Sequence, residues 1–403
     1  MSLLLLLHLL LRIILANTSL SLSITEWRPV TGSLPPMSAA DWDLEFTKYK
    51  ASPEFKQLNS NMDLPAFKKI YWMEWTHRLW GRVIGLTTLL PTIYFIARRR
   101  VSLPMARNLV LINLGIVTQG VVGWWMVASG LKDDLFAKGA HPRVSQYRLA
   151  THLALAFSVY SGMLWNGLQI LRERHLLLNT QPNRAVALLQ RLSSPTLRPL
   201  RIATAALTAL ISVTVVSGAL VAGLDAGLIY NEFPYMGLGL TPPKSELWDP
   251  FYSRQPPPHA DLWWRNILEN PSLVQLDHRI LATTSFVAVN ALFAFARFSP
   301  AIRSNLTRGT KKAMTGVLAI AYLQVTLGLT TLLYLVPVPL AAAHQAGALA
   351  LLTSMVVLGS RVWTPPRLAR LVRQEWVRMR GRQGQSHRQF KLKEGVKSTG
   401  DVA

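Results

Sequence analysis

Glu74-Trp75-Thr76-His77-Arg78 stands at the threshold of an apolar run that continues to Ala97, and Gln275-Leu276-Asp277-His278-Arg279 opens a second such run in the other half of the chain. The two stretches share an x-x-x-His-Arg ending. On a helix, positions three apart lie on one face, so Glu74 points with His77 and Gln275 with His278. One half therefore places a carboxylate beside its histidine and the other an amide. A repeat that keeps the histidine and changes its neighbour implies two similar binding sites with different tasks.

Working outward, the chain has 403 residues, half of them apolar, and a mean hydropathy of +0.24. Apolar runs of about 20 residues are long enough to cross a bilayer as helices. Clear runs occupy 78–97, 109–130, 149–171, 202–224, 280–296, 313–336 and 340–360, and a weaker one, interrupted by Arg12, occupies 3–22. The formal net charge of +23 is unevenly spread. The connections 97–108, 172–201 and 297–312 and the tail from 361 hold 26 Lys and Arg against four Asp and Glu, whereas 25–71, 132–146 and 225–272 hold 12 basic and 14 acidic residues. This alternation is the positive-inside signature of eight transmembrane helices with both termini inside. Because the spans separate the basic residues, no single basic face for nucleic acid is expected.

The repeat continues into later spans. Gln119-Gly-Val-Val-Gly123 matches Gln324-Val-Thr-Leu-Gly328, and a glutamine at that depth needs a polar partner. His152 and His344 each lie near the outer end of their run. The expected fold is all-α, two tandem four-helix bundles related by an internal pseudo-twofold. Residues 1–24 read as a first span, with a signal sequence or a misplaced start as the alternatives, 25–171 as the N-terminal half with its outer loop, 172–201 as a basic inner linker, 202–360 as the C-terminal half, and 361–403 as a basic inner-side tail. The aromatic residues Tyr71, Trp75 and Trp80 around Trp72 suit an interfacial belt. Within the tail, Arg367–Arg378 reads as an amphipathic basic helix for anionic lipid headgroups.

Topology sets His77, His152, His278 and His344 at similar depth, two per half on facing helices. That is the arrangement for clamping a haem iron from both sides, one haem per half. Arg78, Arg279 and Arg148, near the interface, are candidates for the propionates, and Gln119 and Gln324 for the pockets. The absence of cysteine excludes disulfides, iron-sulfur clusters and thiolate ligation. Zinc is a weaker alternative, because widely separated histidines lack the close ligand pairs zinc sites use. Glu74 has two readings, a helix-start carboxylate facing water or a carboxylate aimed at the haem edge. His8, His141, His175, His259 and His387 have no repeat partner and are assigned to solvent or interface.

These motifs, with Ser23-Ile-Thr-Glu-Trp-Arg-Pro-Val-Thr-Gly32, Tyr147-Arg-Leu-Ala-Thr-His152, Asn231-x-Phe-Pro-x-Met236 and Ala343-His344-Gln345, resemble the haem A synthase family from about Leu22 to Val362. The resemblance implies oxidation of the C8 methyl of haem O to the formyl of haem A for cytochrome c oxidase, with water as the oxygen source. It implies that the half of His77 and His152 receives haem O as substrate, that the half of His278 and His344 holds haem b as cofactor, and that Glu74 is catalytic. A general-base role fits such a carboxylate. The expected partners are the upstream farnesylating enzyme that supplies haem O, an electron-transfer protein or small molecule such as a ferredoxin or quinone, the lipid bilayer, and a second copy of the chain in a homo-oligomer. The expected location is the mitochondrial inner membrane, with a bacterial plasma membrane as the alternative; the lack of cysteine resembles the mitochondrial and alphaproteobacterial branch. One stretch departs from the family: where its first helix ends in a Gly-Gly-x-Thr-Arg-Leu-Thr-like run, this chain has Ile14-Leu-Ala-Asn-Thr-Ser-Leu-Ser-Leu22, which reads as a truncated amino terminus. The competing functions are a di-haem electron carrier without chemistry and a haem-delivery assembly factor.

Overall fold

The computed structural model describes residues 23–26, 28, 31–131, 144–178, 180–364 and a few positions between 368 and 378. The expected first span at 3–22, most of the tail helix, His8, His141 and His387 lie outside the described residues. Among the described residues the protein is helical, with no strand beyond a single bridge between Met236 and Gly239.

Seven long helices set the architecture: α1 Leu64–Ala97, α2 Leu103–Ser129, α3 Gln146–Leu178, α4 Arg198–Gly223, α5 Pro271–Phe298, α6 Arg308–Leu333 and α7 Val338–Val362. All of these except α3 are long and apolar enough to cross a membrane. Helix α3 is 33 residues long, but Thr151, His152, Ser158, Asn166 and Gln169 dilute its apolar content. The polar residues of the spans turn inward on their own backbone. Thr87 and Thr88 bond the carbonyls of Val83 and Ile84, which are the partners a hydroxyl needs in hydrocarbon.

The starts of the helices are written in the sequence. Asp63 caps α1 by accepting from the Ala66 amide at 2.8 Å, Asn270 caps α5 through the Ser272 amide at 3.0 Å, and Thr307 caps α6 through Thr310 at 3.1 Å. Helix α1, at 34 residues, is about 50 Å long and overreaches a hydrocarbon core of about 30 Å. Its first turns therefore stand outside the apolar zone, where Phe67 and Tyr71 pack with Trp42, Phe46 and Tyr49 under the short helices Ala39–Lys50 and Pro53–Leu58. Tyr71, expected in an interfacial belt, is instead buried: the Trp42 ring lies 5.0 Å from it, and the belt position falls to Trp72.

Helices α4, α5, α6 and α7 close on one another as a four-helix bundle around Leu207, Ile211, Val289, Val317, Met355 and Leu358. Helix α3 packs on α2, α4 and α7, and α1 packs on α2. Helix α3 thus joins the two halves by its contacts with α4 and α7; against α7, Phe157 and Tyr160 meet Leu349 and Leu352 and the Tyr160 hydroxyl bonds Thr353. The connection 224–270 folds over the outer end of the C-terminal bundle. Met236 and Leu247 are buried there against Leu273 and Leu276.

Candidate functional site

Helices α1 and α3 bring His77 and His152 face to face. Their ring centroids are 6.4 Å apart, with planes tilted by 59°. A metal bonded to one nitrogen of each imidazole at about 2 Å, with roughly 1 Å more from nitrogen to ring centre, sets opposed rings about 6 Å apart. The pair is therefore spaced for one iron between them. Gln119, expected in this pocket, donates to the His152 carbonyl at 2.9 Å and so ties α2 to the ligand-bearing turn of α3.

Glu74 does not stand open to water at the start of its helix. Its Oε2 accepts from the Ser23 amide at 2.8 Å, the Ser23 hydroxyl at 2.6 Å and the Ile24 amide at 2.9 Å. Its Oε1 pairs with the Arg78 guanidinium at 2.6 Å, and the two side chains are only 14% and 10% exposed. Arg78 is saturated on its other edges by the carbonyls of Glu26 and Ile24, each at 2.8 Å. Arg82, one turn on, adds a bond to the Arg28 carbonyl at 2.8 Å. The residues three before and one after His77 thus fasten the segment 23–26 across the outer end of α1.

The C-terminal half repeats the device with the polarity reversed. Gln275 donates to the Tyr230 carbonyl at 2.9 Å, and Arg279 donates to the carbonyls of Tyr230 at 2.9 Å and Tyr235 at 3.1 Å. Here the loop presents carbonyls, which an amide nitrogen can bond. In the other half it presents amides and a hydroxyl, which call for a carboxylate. Each expected propionate arginine is bonded to main-chain carbonyls, Arg148 included, which reaches the Trp125 carbonyl.

His278 and His344 sit on α5 and α7, close enough to interact electrostatically. Glycines from the neighbouring helices make room for both rings. A Cβ on Gly218 of α4 would stand 3.1 Å from the His278 ring, and one on Gly328 of α6 would stand 2.8 Å from His344. Gly328 is the glycine of the Gln-x-x-x-Gly motif, so that spacing has a physical use: it sets a bare backbone against the His344 ring. Gln324 lies at the α6–α7 contact, where a Cβ on Gly347 would meet its oxygen. Ser217 bonds Nδ1 of His278 at 2.7 Å. Neither Ser217 nor Gly218 was singled out from sequence; the Ser-Gly pair in an apolar run was the available signal.

Among the described residues no three His, Asp or Glu side chains converge as a metal cage. Of the remaining histidines within the described residues, His259 bonds the Gln255 carbonyl at 2.8 Å and His175 lies beside Thr180.

The family described as cytochrome oxidase assembly protein (COX15-CtaA) matches residues 14–356. The chain belongs to the haem A synthase family. It is 48% identical over 349 residues to haem A synthase COX15 of Saccharomyces cerevisiae, a match covering 86% of this chain and 71% of that one. It is 42% identical over 336 residues to haem A synthase of Paracoccus denitrificans, covering 83% and 79%. It is 48% identical over 348 residues to the haem A synthase-mitochondrial ferredoxin fusion protein of Schizosaccharomyces pombe, covering 86% of this chain and only 56% of the fusion. No solved structure matches. Membership in the haem A synthase family agrees with paired histidines in a helical membrane protein.

Proposed function

We propose that this chain converts haem O to haem A by oxidising the C8 methyl to a formyl group. Conversion of a methyl to a formyl with oxygen from water releases four electrons and four protons per haem, so the site must pass both on. The spacing of His77 and His152, 6.4 Å between centroids, carries the reading, because rings so spaced would hold one haem iron between them in the half that also contains Glu74. In this reading haem O lies between His77 and His152, and haem b lies between His278 and His344. Haem b, when bound, supplies one-electron redox chemistry.

The protein's own groups do the rest. Glu74 accepts protons near the substrate end of α1, and Arg78, by its 2.6 Å pairing, holds that carboxylate in its orientation. The bonded segment 23–26 covers the outer end of this half and restricts water. Gly218 and Gly328 hold open the space in which the C-terminal rings sit. The fused ferredoxin in the fission yeast relative supports a ferredoxin as the electron partner. The relatives named for mitochondria and for Paracoccus support a multi-pass location in the mitochondrial inner membrane or its bacterial counterpart.

The test is expression in a host that makes haem O and no haem A, followed by pigment extraction, chromatography and mass measurement. A formyl-bearing haem with the wild-type chain is the expected result. Recovery of unmodified haem alone, with two stable redox-active haems on the protein, would replace the synthase by an electron carrier.

A further inference from the structure

The hydroxyl of Ser217 has one proton, and one of its two neighbours can only accept it. Ser217 Oγ lies 2.8 Å from the Thr214 carbonyl, three residues back on α4, and a carbonyl only accepts. The same oxygen lies 2.7 Å from His278 Nδ1. With its proton committed to Thr214, the hydroxyl faces the ring as an acceptor, so Nδ1 carries the hydrogen. In neutral imidazole that leaves Nε2 as the nitrogen with a free lone pair. The Ser217 side chain is buried, and Gly218, next in sequence, lets α4 approach until a Cβ there would stand 3.1 Å from the ring. Helix α4 therefore grips the ring twice, by shape at residue 218 and by a hydrogen bond at residue 217.

We infer that Ser217 is a positioning residue for the C-terminal haem: through Nδ1 it fixes His278 in the tautomer that presents Nε2 to iron and raises the electron-donating power of that ligand. The inference rests on the proposed seat of a haem at His278 and His344. A ligating histidine whose other ring nitrogen donates to an acceptor is a stronger base than one without it. A hydroxyl already donating to a carbonyl is a better acceptor than a free one, because successive hydrogen bonds polarise each other. Stronger donation favours ferric over ferrous iron, so the bond lowers the reduction potential of the haem it serves.

The experiment uses the full chain, purified with its haem, and reads two things besides activity: the potential of each haem by redox titration, and the ferric low-spin electron paramagnetic resonance signal. His278→Ala assigns the C-terminal component, which is expected to disappear. Ser217→Ala is expected to raise that component's potential and shift its resonance while leaving the other haem unchanged. Ser217→Cys keeps the volume but is a weak acceptor, and is expected to shift both readouts in the same direction by less. Ser217→Thr restores the hydroxyl and the wild-type values. If His278→Ala removes no haem component, the haem seat itself is wrong. If it removes one, and neither Ser217→Ala nor Ser217→Cys moves that component's potential or resonance, the seat stands and the role of Ser217 is overturned.

Discussion

At the position three residues before the first histidine, the difference between Glu74 and Gln275 has a structural meaning that comes before any chemical one. Glu74 collects three donors from Ser23 and Ile24 and a fourth from Arg78, whereas Gln275 gives a hydrogen to a carbonyl. A glutamine at 74 would keep one acceptor oxygen, lose the charge facing Arg78, and turn an NH2 group toward amides that also donate. Breaking a charged, mostly buried hydrogen-bonded pair in this way costs about 1–3 kcal/mol. Loss of a general base costs about 100-fold or more in rate. Glu74→Gln is accordingly expected to keep haem bound between His77 and His152, to lose haem A at least about 100-fold, and to loosen segment 23–26 toward protease. Pigment analysis of the purified variant checks the first two. Undiminished haem A would reduce Glu74 to a fastener. The facing of His77 and His152 was legible from sequence because a repeat places the histidines in register. The bonds of Glu74 were not, since spacing on a helix reports neighbours three and four residues away and says nothing of a segment that returns from 51 residues upstream.

At the scale of helices, the cradle of the C-terminal site is made by what α4 and α6 lack. A Cβ at Gly328 would intrude to 2.8 Å from the His344 ring, and overpacking of this kind costs about 1–3 kcal/mol. Gly328→Val, larger still, is expected to turn His344 off its axis and reduce haem in the C-terminal half, seen as loss of one of two redox components with the helical circular dichroism intact. The connection above this bundle is pinned independently of the site. Arg265 pairs with Asp261 at 2.5 Å and with Glu269 at 2.7 Å. The Ser253 hydroxyl, with help from the Arg254 amide and Arg265, holds the Asp261 carboxyl down to about 2. A folded-state value below the ordinary carboxylate value of about 4 contributes stability that is present above pH 4 and lost as pH falls toward 2. Proteolysis of 244–270 is therefore expected to stay slow and flat from pH 8 to about 4 and to accelerate only below it; Asp261→Asn removes that dependence. The seven clear apolar runs disclosed all seven of these helices, but not the start of α1 at Leu64, because its first turns are amphiphilic and stabilised by the aromatic cap above them.

The whole molecule joins a closed C-terminal bundle to α1, α2 and α3 through α3, which packs on both α4 and α7. That asymmetry among the described residues follows from which helix carries which ligand: α3 holds His152 on one side and packs against the helix of His344 on the other. In the proposed function, electrons moving between the halves would cross the contacts that α3 makes with α4 and α7. This arrangement requires both pairs at the same outer level, which in turn requires the acidic connections on one side of the membrane and the basic ones on the other. The sequence permits a clean test because it has no cysteine, so each introduced thiol reports without background. Gln255→Cys lies in the exposed outer connection and Ser304→Cys in the exposed basic connection between α5 and α6. With membrane-impermeant maleimide applied to sealed vesicles, one of the two is expected to label at once and the other only after the membrane is opened. The order reverses in vesicles of opposite orientation. Labelling of both positions from the same side would place α5 outside the set of spans, separate His278 from the level of His77, and dissolve the paired-site architecture on which the haem chemistry depends.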